Sequence, residues 1–198
     1  MTGKRVRCFY CCDSLGADID HYTPVKVNFR STFSWDNWLL VCPPCNRRKA
    51  SSFPLDSSGV PLLLDPTQRD PWKHFFLDRS TGLIAPRYLE DDSTDPIAES
   101  TLEVLECLVD EAIAEGRLRA IRRFTRAVND FLAHGGDSHH MKRLQQEIAE
   151  DDYGVSLWFL AWEGSREQPF ADFVHRYPVR RRRLVRYSMK WPNIKSPV

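Results

Sequence analysis

The sequence predicts an α+β protein: a small N-terminal core stapled by cysteines, followed by a mostly α-helical C-terminal half. Three observations carry this. Two C-x2-C pairs, Cys8/Cys11 and Cys42/Cys45, enclose 30 residues, 12 to 41. Two short stretches of strand length, 19–22 and the apolar 38–41, lie within that enclosed segment. From Ile97 onward, apolar residues recur at helical spacing, with glycines where helices should stop.

Residues 5–11 are expected as a short strand leading into a knuckle turn at Cys8 and Cys11, and Asp13-Ser14-Leu15-Gly16 as a turn. Residues 19–22 form a strand bearing Asp20 and His21, whose side chains alternate to opposite faces but reach one site at a strand end. Pro24 ends or bends it. Residues 25–32 are a partly basic loop, 34–37 a turn, and 38–41 a buried strand or the start of a short helix. Cys42-Pro43-Pro44-Cys45 is the second knuckle, and residues 46–51 begin a helix. Residues 53–96 are rich in proline and are expected to wrap the core, with a hairpin about Ser80-Thr81-Gly82.

Beyond that, Leu102, Leu105, Leu108, Val109, Ala112 and Ile113 predict one helix over 97–114, with Cys107 on its apolar face. Helices over 117–133, 138–150, 156–162 and 170–175 follow. Trp158, Phe159 and Trp162 are either core or a partner interface. A tail carries Arg180 to Arg183, Tyr187, Lys190 and Trp191; nucleic-acid binding, docking on an acidic partner and a solvated tail all fit it. His139-His140 is a surface helix start. The expected division is a core over 1–56, a wrapping segment over 57–96, and a helical region over 97–198 with a basic tail suited to partner docking.

Apolar residues make up 42% and charged residues 28% of the 198 positions, which excludes wholesale disorder. The net charge of +1 is unevenly placed: +3 over residues 1–56, −9 over 91–167 and +7 over 168–198, with residues 57–90 balanced. Local basic patches of this kind, rather than net charge, make phosphate contacts. Met1 is followed by Lys4, Arg5 and Arg7 rather than an apolar signal, and no run approaches the ~18 apolar residues that would suggest a membrane span. A reducing cytoplasm is therefore expected. There, paired C-x2-C spacing points to metal rather than disulfides.

Four thiolates in two such pairs make a closed, four-coordinate structural Zn²⁺ site at Cys8, Cys11, Cys42 and Cys45. Cys12 ranks below Cys11 because the C-x2-C spacing is the commoner geometry. A metal replaces the apolar core that so short a segment cannot supply. Between the pairs lie the residue types that phosphodiester hydrolysis needs. A histidine can activate water, and a carboxylate with an amide oxygen suits a hard divalent cation such as Mg²⁺. Asp20, His21, Asn37 and Asn46 supply them, and Arg47, Arg48 and Lys49 stand next to the last for phosphate contact.

Asp18-Ile19-Asp20-His21 before Pro24, then Trp35-Asp36-Asn37, then Cys42-Pro43-Pro44-Cys45-Asn46, in this order, resembles the HNH endonuclease family with its ββα-metal fold. The resemblance implies that His21 is the general base and Asn37 orients it. It implies that Asp20 and Asn46 bind Mg²⁺ or Mn²⁺, asparagine being a familiar variant where many members carry histidine. Downstream, Phe53-Pro54, Leu64-Asp65-Pro66, Pro71, His74-Phe75 and Gly82 resemble the PtuB-type branch found beside retrons and in the Septu anti-phage system. That likeness covers about residues 8 to 130 and implies a DNA-cutting effector held in a complex with an ABC/AAA-type, PtuA-like ATPase. Val25 departs from the branch's proline-lysine, with Lys26 as stand-in for the phosphate-contacting lysine. His74 lies outside the motif. The competing expectation is a zinc-dependent nucleic-acid-binding or adaptor module without cleavage; a restriction-type or homing nuclease would need a recognition domain that is not evident.

Overall fold

Strand β1 (Asp18–His21) pairs antiparallel with β2 (Trp38–Val41) in the computed structural model, which describes residues 6–188. The register sets Asp18 opposite Val41 and His21 opposite Trp38. Leu39 and Val41 alternate inward and are fully buried, which fixes that register, since a one-residue slip would turn both outward. Helix α1 (Pro43–Lys49) follows directly, with Pro43 and Pro44 at its first positions, where their missing N–H groups cost nothing.

Over the described part, 6–11, of the strand expected at 5–11, no strand forms. The segment makes one antiparallel bridge, between Arg7 and Leu15, and Phe9 N–H donates to the Leu40 carbonyl (2.9 Å). The chain curls instead. Cys8 N–H donates to the Ser14 carbonyl (2.9 Å) and Cys12 N–H to the Cys8 carbonyl (3.0 Å), a tight turn that brings Cys8 and Cys11 together.

Strands β3 (Phe75–Leu77) and β4 (Ile84–Pro86) form the anticipated hairpin around Gly82, as a separate two-stranded sheet. The proline-rich stretch is tied to its neighbours by specific bonds. Tyr22 donates its hydroxyl to the Leu63 carbonyl (2.6 Å), and Leu64 N–H donates to Thr101 Oγ1 (2.8 Å). Asp95 caps α2 (Pro96–Val104), its Oδ1 accepting from Ile97 and Ala98 N–H.

The single helix expected over 97–114 is broken. After α2 the chain turns at Leu105, passes through a 3₁₀ turn over Glu106–Val109, and re-forms as α3 (Glu111–Ala133). Leu105 and Cys107 stand about 200° apart on a straight helix, yet both are buried. The break lets both point inward. It sets Cys107 Sγ 3.6 Å from Cys45 Sγ.

The chain divides into two compact units, one running to Glu115 and the other from Gly116. The second contains most of α3, then α4 (Ser138–Ala149), α5 (Val155–Ala161), α6 (Phe170–Arg176) and α7 (Pro178–Ser188). Its core is aromatic: Phe170 stacks on Phe159 at 3.9 Å and on Phe124 at 5.5 Å between ring centroids. Trp158 and Phe159 are fully buried here, so they belong to the core and not to a docking face. Gly164 lies directly against the Trp158 ring, leaving no room for a Cβ.

Helix α7 was not anticipated. Four consecutive arginines read as a tail, but Leu184, Val185 and Ser188 form a buried stripe. Two of the arginines are structural: Arg180 donates to the Gly136 carbonyl and covers the Tyr177 ring, and Arg181 donates to the Leu160 carbonyl. Lys4, Arg5, Lys190 and Trp191 lie outside the described residues. No helix among those described is long and apolar enough to cross a membrane.

Candidate active site

Two turns bring the four expected thiols together. The Sγ atoms of Cys8, Cys11, Cys42 and Cys45 all lie within 4.8 Å of one another, and all four residues are buried. Cys11 and Cys42 Sγ stand 3.9 Å apart. Tetrahedral coordination at ~2.3 Å requires sulfur atoms ~3.8 Å apart, so the spacing fits an ion and is far too long for a disulfide. The thiols cannot share this space as independent anions. Hydrogen bonds from Cys45 and Cys8 pull the Cys11 thiol down to about 2, whereas its hydrogen bond with Cys11 pushes Cys8 up to about 12. Cys45 is pushed up further, chiefly by Cys107 and then by Cys11. A divalent cation removes that competition, because it stabilises every thiolate at once.

The catalytic candidates sit on the strand and helix that the cluster ties together. Asp18 and Asp20 occupy the same face of β1 by its two-residue period. Asn46 and Lys49 occupy one face of α1 by helical spacing. The two faces meet in two pairs. Asn46 Nδ2 donates to Asp18 Oδ2 (3.0 Å), and Lys49 Nζ lies 3.0 Å from both Asp20 carboxylate oxygens. Tyr10 donates its hydroxyl to Asp20 Oδ2 (2.7 Å). Burial, and then the Asp20 charge, pushes the Tyr10 phenol well above its usual range, which keeps it a donor.

Lys49 was expected to contact phosphate, and its position corrects this. It is 0% exposed, and its ammonium also donates to the His21 carbonyl (2.7 Å). Burial draws its pKa down while Asp20 opposes that shift. Lys49→Met leaves the Asp20 carboxylate buried beside Tyr10 alone. The expected cost is about 3–5 kcal/mol, read from the urea midpoint; a midpoint within error of the unsubstituted protein would show that the pair contributes nothing.

His21 lies on the opposite face from Asp20, half-buried. Its Nε2 is 3.0 Å from the Thr32 carbonyl. A carbonyl only accepts, so Nε2 carries the proton and Nδ1 holds the lone pair in the neutral ring. Trp38 Nε1–H donates to the same oxygen (2.6 Å). Asn37 does not bond to the imidazole. It is buried, its Oδ1 accepts from Thr23 N–H (2.7 Å), and its Nδ2 donates to the Thr23 carbonyl (3.0 Å) and the Ser31 carbonyl (3.2 Å). It clamps both ends of the loop that presents Thr32 to His21, so any orienting effect passes through the backbone.

Asp20, His21, Lys26 and Asn46 line one open cleft of about 360 Å³, together with Ile19, Pro24, Val25, Ala50 and Ser51. Oxygen donors from Asp20 and Asn46 and the His21 imidazole in one cleft match what a small divalent cation and a base require. A carboxylate has about four lone-pair positions, so the bonds to Lys49 and Tyr10 do not exhaust Asp20. Arg47 is exposed beside the cleft. Arg48 is also exposed but faces Glu106 (3.4 Å) and Asp110 (4.0 Å). His74 bonds Asp95 (2.9 Å) and takes no part in lining the cleft.

Tyr10, Asp18 and Thr32 join the expected residues at the site. Asp18 was within reach, since strand alternation places it beside Asp20; Tyr10 and Thr32 depend on turns that carry no periodic signal.

Residues 8–52 match the model of the HNH endonuclease family. The matched segment contains both cysteine pairs, β1, β2, α1 and every residue named above as a candidate for the chemistry. The comparison with curated proteins and that with solved structures each returned no match. The HNH segment ends well before α2, so the family likeness is confined to the part of the first unit that holds the cleft.

Proposed function

We propose that this protein is a metal-dependent endonuclease that hydrolyses phosphodiester bonds in DNA. One observation supports this above the others. In a segment matching the HNH endonuclease family, His21, whose Nε2 faces the Thr32 carbonyl, lines the same cleft as Asp20 and Asn46. His21 takes the proton from the attacking water. Asp20 and Asn46 hold a Mg²⁺ or Mn²⁺ ion, with Asp18 aligning the Asn46 amide. When bound, that ion stabilises charge on the phosphate and on the leaving oxygen. Asn37 and Thr32 position the base, and Lys26 and Arg47 steer the phosphate backbone. Cys8, Cys11, Cys42 and Cys45 hold a structural Zn²⁺ that fixes α1 against the strands.

Supercoiled plasmid incubated with the purified protein and Mg²⁺ or Mn²⁺ is expected to convert to the nicked form, and EDTA to stop it. Retardation of the plasmid on a gel without any cut would instead establish an adaptor that binds and does not cleave.

The finer assignment, a phage-defence effector beside an ABC/AAA-type ATPase, rests on the residues downstream of the HNH segment and on the acidic stretch over 91–167. The buried aromatic helix α5 lends it no support. Expression from the native operon is expected to yield a stable complex; an active protein that elutes alone would remove the partner from the account.

A further inference from the structure

The loop between β1 and β2 spends little of its apolar surface on the core. Four of the seven exposed aromatic side chains among the described residues, Phe29, Phe33, Trp35 and Trp38, fall in this one loop and the strand it enters. Phe33 is 81% and Trp35 70% exposed. Water disfavours such a concentration, which marks a surface that is covered in use.

The aromatics connect directly to the candidate base. The Trp38 ring meets the His21 ring edge-on at 6.5 Å, and Trp35 lies 6.0 Å from Trp38. Trp38 and His21 share the Thr32 carbonyl as acceptor. The same loop carries Lys26 and Arg30, both exposed, against a single acidic residue, Asp36. Flat apolar faces interleaved with cations, beside a site for a phosphodiester, match a ligand with alternating planar and anionic groups.

Duplex DNA presents its base faces to one another and only its base edges to the grooves. Rings as exposed as Phe33 and Trp35 have nothing to stack on there. An unpaired strand offers both the base face and the phosphate. From this juxtaposition of exposed aromatics, loop cations and His21, we infer that the substrate is DNA with an unpaired strand, whose bases stack on Phe33 and Trp35 while an adjacent phosphate enters the cleft.

This rests on the nuclease reading, and its test separates the two. Full-length His21→Ala protein is titrated, without added Mg²⁺ or Mn²⁺, with a fluorescein-labelled oligo-dT strand and with a duplex hairpin of equal length. The single strand is expected to bind more tightly and to quench tryptophan fluorescence. Adding Trp35→Ala or Phe33→Ala should weaken strand binding about tenfold and leave duplex binding unchanged. Trp35→Phe, which keeps a stacking face, should restore most of the affinity. Both positions are exposed, so zinc content and circular dichroism should match the parent.

Duplex binding as tight as strand binding, or equal losses on both, would overturn the inference. So would self-association that Trp35→Ala abolishes while strand affinity stays unchanged, because the aromatics would then belong to a contact between two copies. With His21 intact and Mg²⁺ or Mn²⁺ added, cleavage of strand and hairpin alike with no binding preference removes this inference alone; a strand preference with neither oligonucleotide cut removes the nuclease reading alone.

Discussion

His21→Ala is expected to leave a folded, metal-loaded protein whose nicking rate falls by about 10²- to 10⁴-fold, the usual contribution of a positioned general base. The fold should tolerate the change because little rests on the ring. His21 is half-buried, and its ring bonds to the Thr32 carbonyl. That oxygen keeps a donor in Trp38 Nε1 after the ring is gone. The stability cost should therefore stay near that of one lost hydrogen bond, about 0.5–1.5 kcal/mol. Plasmid nicking rate, zinc content and urea midpoint, measured on the same preparation, separate the two effects. A His21→Ala protein that cuts at the parent rate would mean that another group, or the metal-bound water alone, activates the nucleophile.

Cys45→Ala is expected to do the reverse and destroy the structure that carries the site. Structural zinc contributes roughly 10–16 kcal/mol of apparent binding energy in small zinc modules, whereas whole domains are stable by only about 5–15 kcal/mol. Cys45 lies in α1, the helix that supplies Asn46 and Lys49. Losing its thiolate opens the cluster and also removes the neighbour of Cys107. Metal content should fall to the background, and amide protons of β1 and β2 should lose their exchange protection. Helices α4–α7 pack within the second unit, so much of the far-ultraviolet helix signal should remain. Stoichiometric zinc and unchanged protection in β1 and β2 would refute the stapling role.

These two substitutions separate the tasks that the sequence runs together between Cys8 and Lys49. Much of the arrangement was legible there because its signals are local. Strand length placed β1 to within one residue and left β2 as strand or helix start, the helix expected from residue 46 begins three residues earlier at Pro43, and paired cysteine spacing brought four thiols to one point. What was not legible depended on what each residue meets after folding. Lys49 looks like the end of a basic run, and only the facing Asp20 turns it inward. Asn37 was expected to orient the histidine and instead closes the loop behind it. The apolar period over 97–114 carries no mark of the break at Leu105, because the demand to bury Cys107 comes from Cys45, 62 residues earlier. Helix α7 was concealed by charge, since its buried stripe is only three residues wide.

The Cys107 contact and the Tyr22–Leu63 bond also decide how portable the cutting segment is. Both cross the border at residue 52 where the family likeness ends. A graft of residues 8–52 onto a foreign carrier would uncover Cys45 and strand the Tyr22 hydroxyl without its acceptor. The motif that family likeness delimits is thus smaller than the piece that has to be inherited or transplanted together, and the proline-rich stretch and the broken helix travel with it as part of the tool.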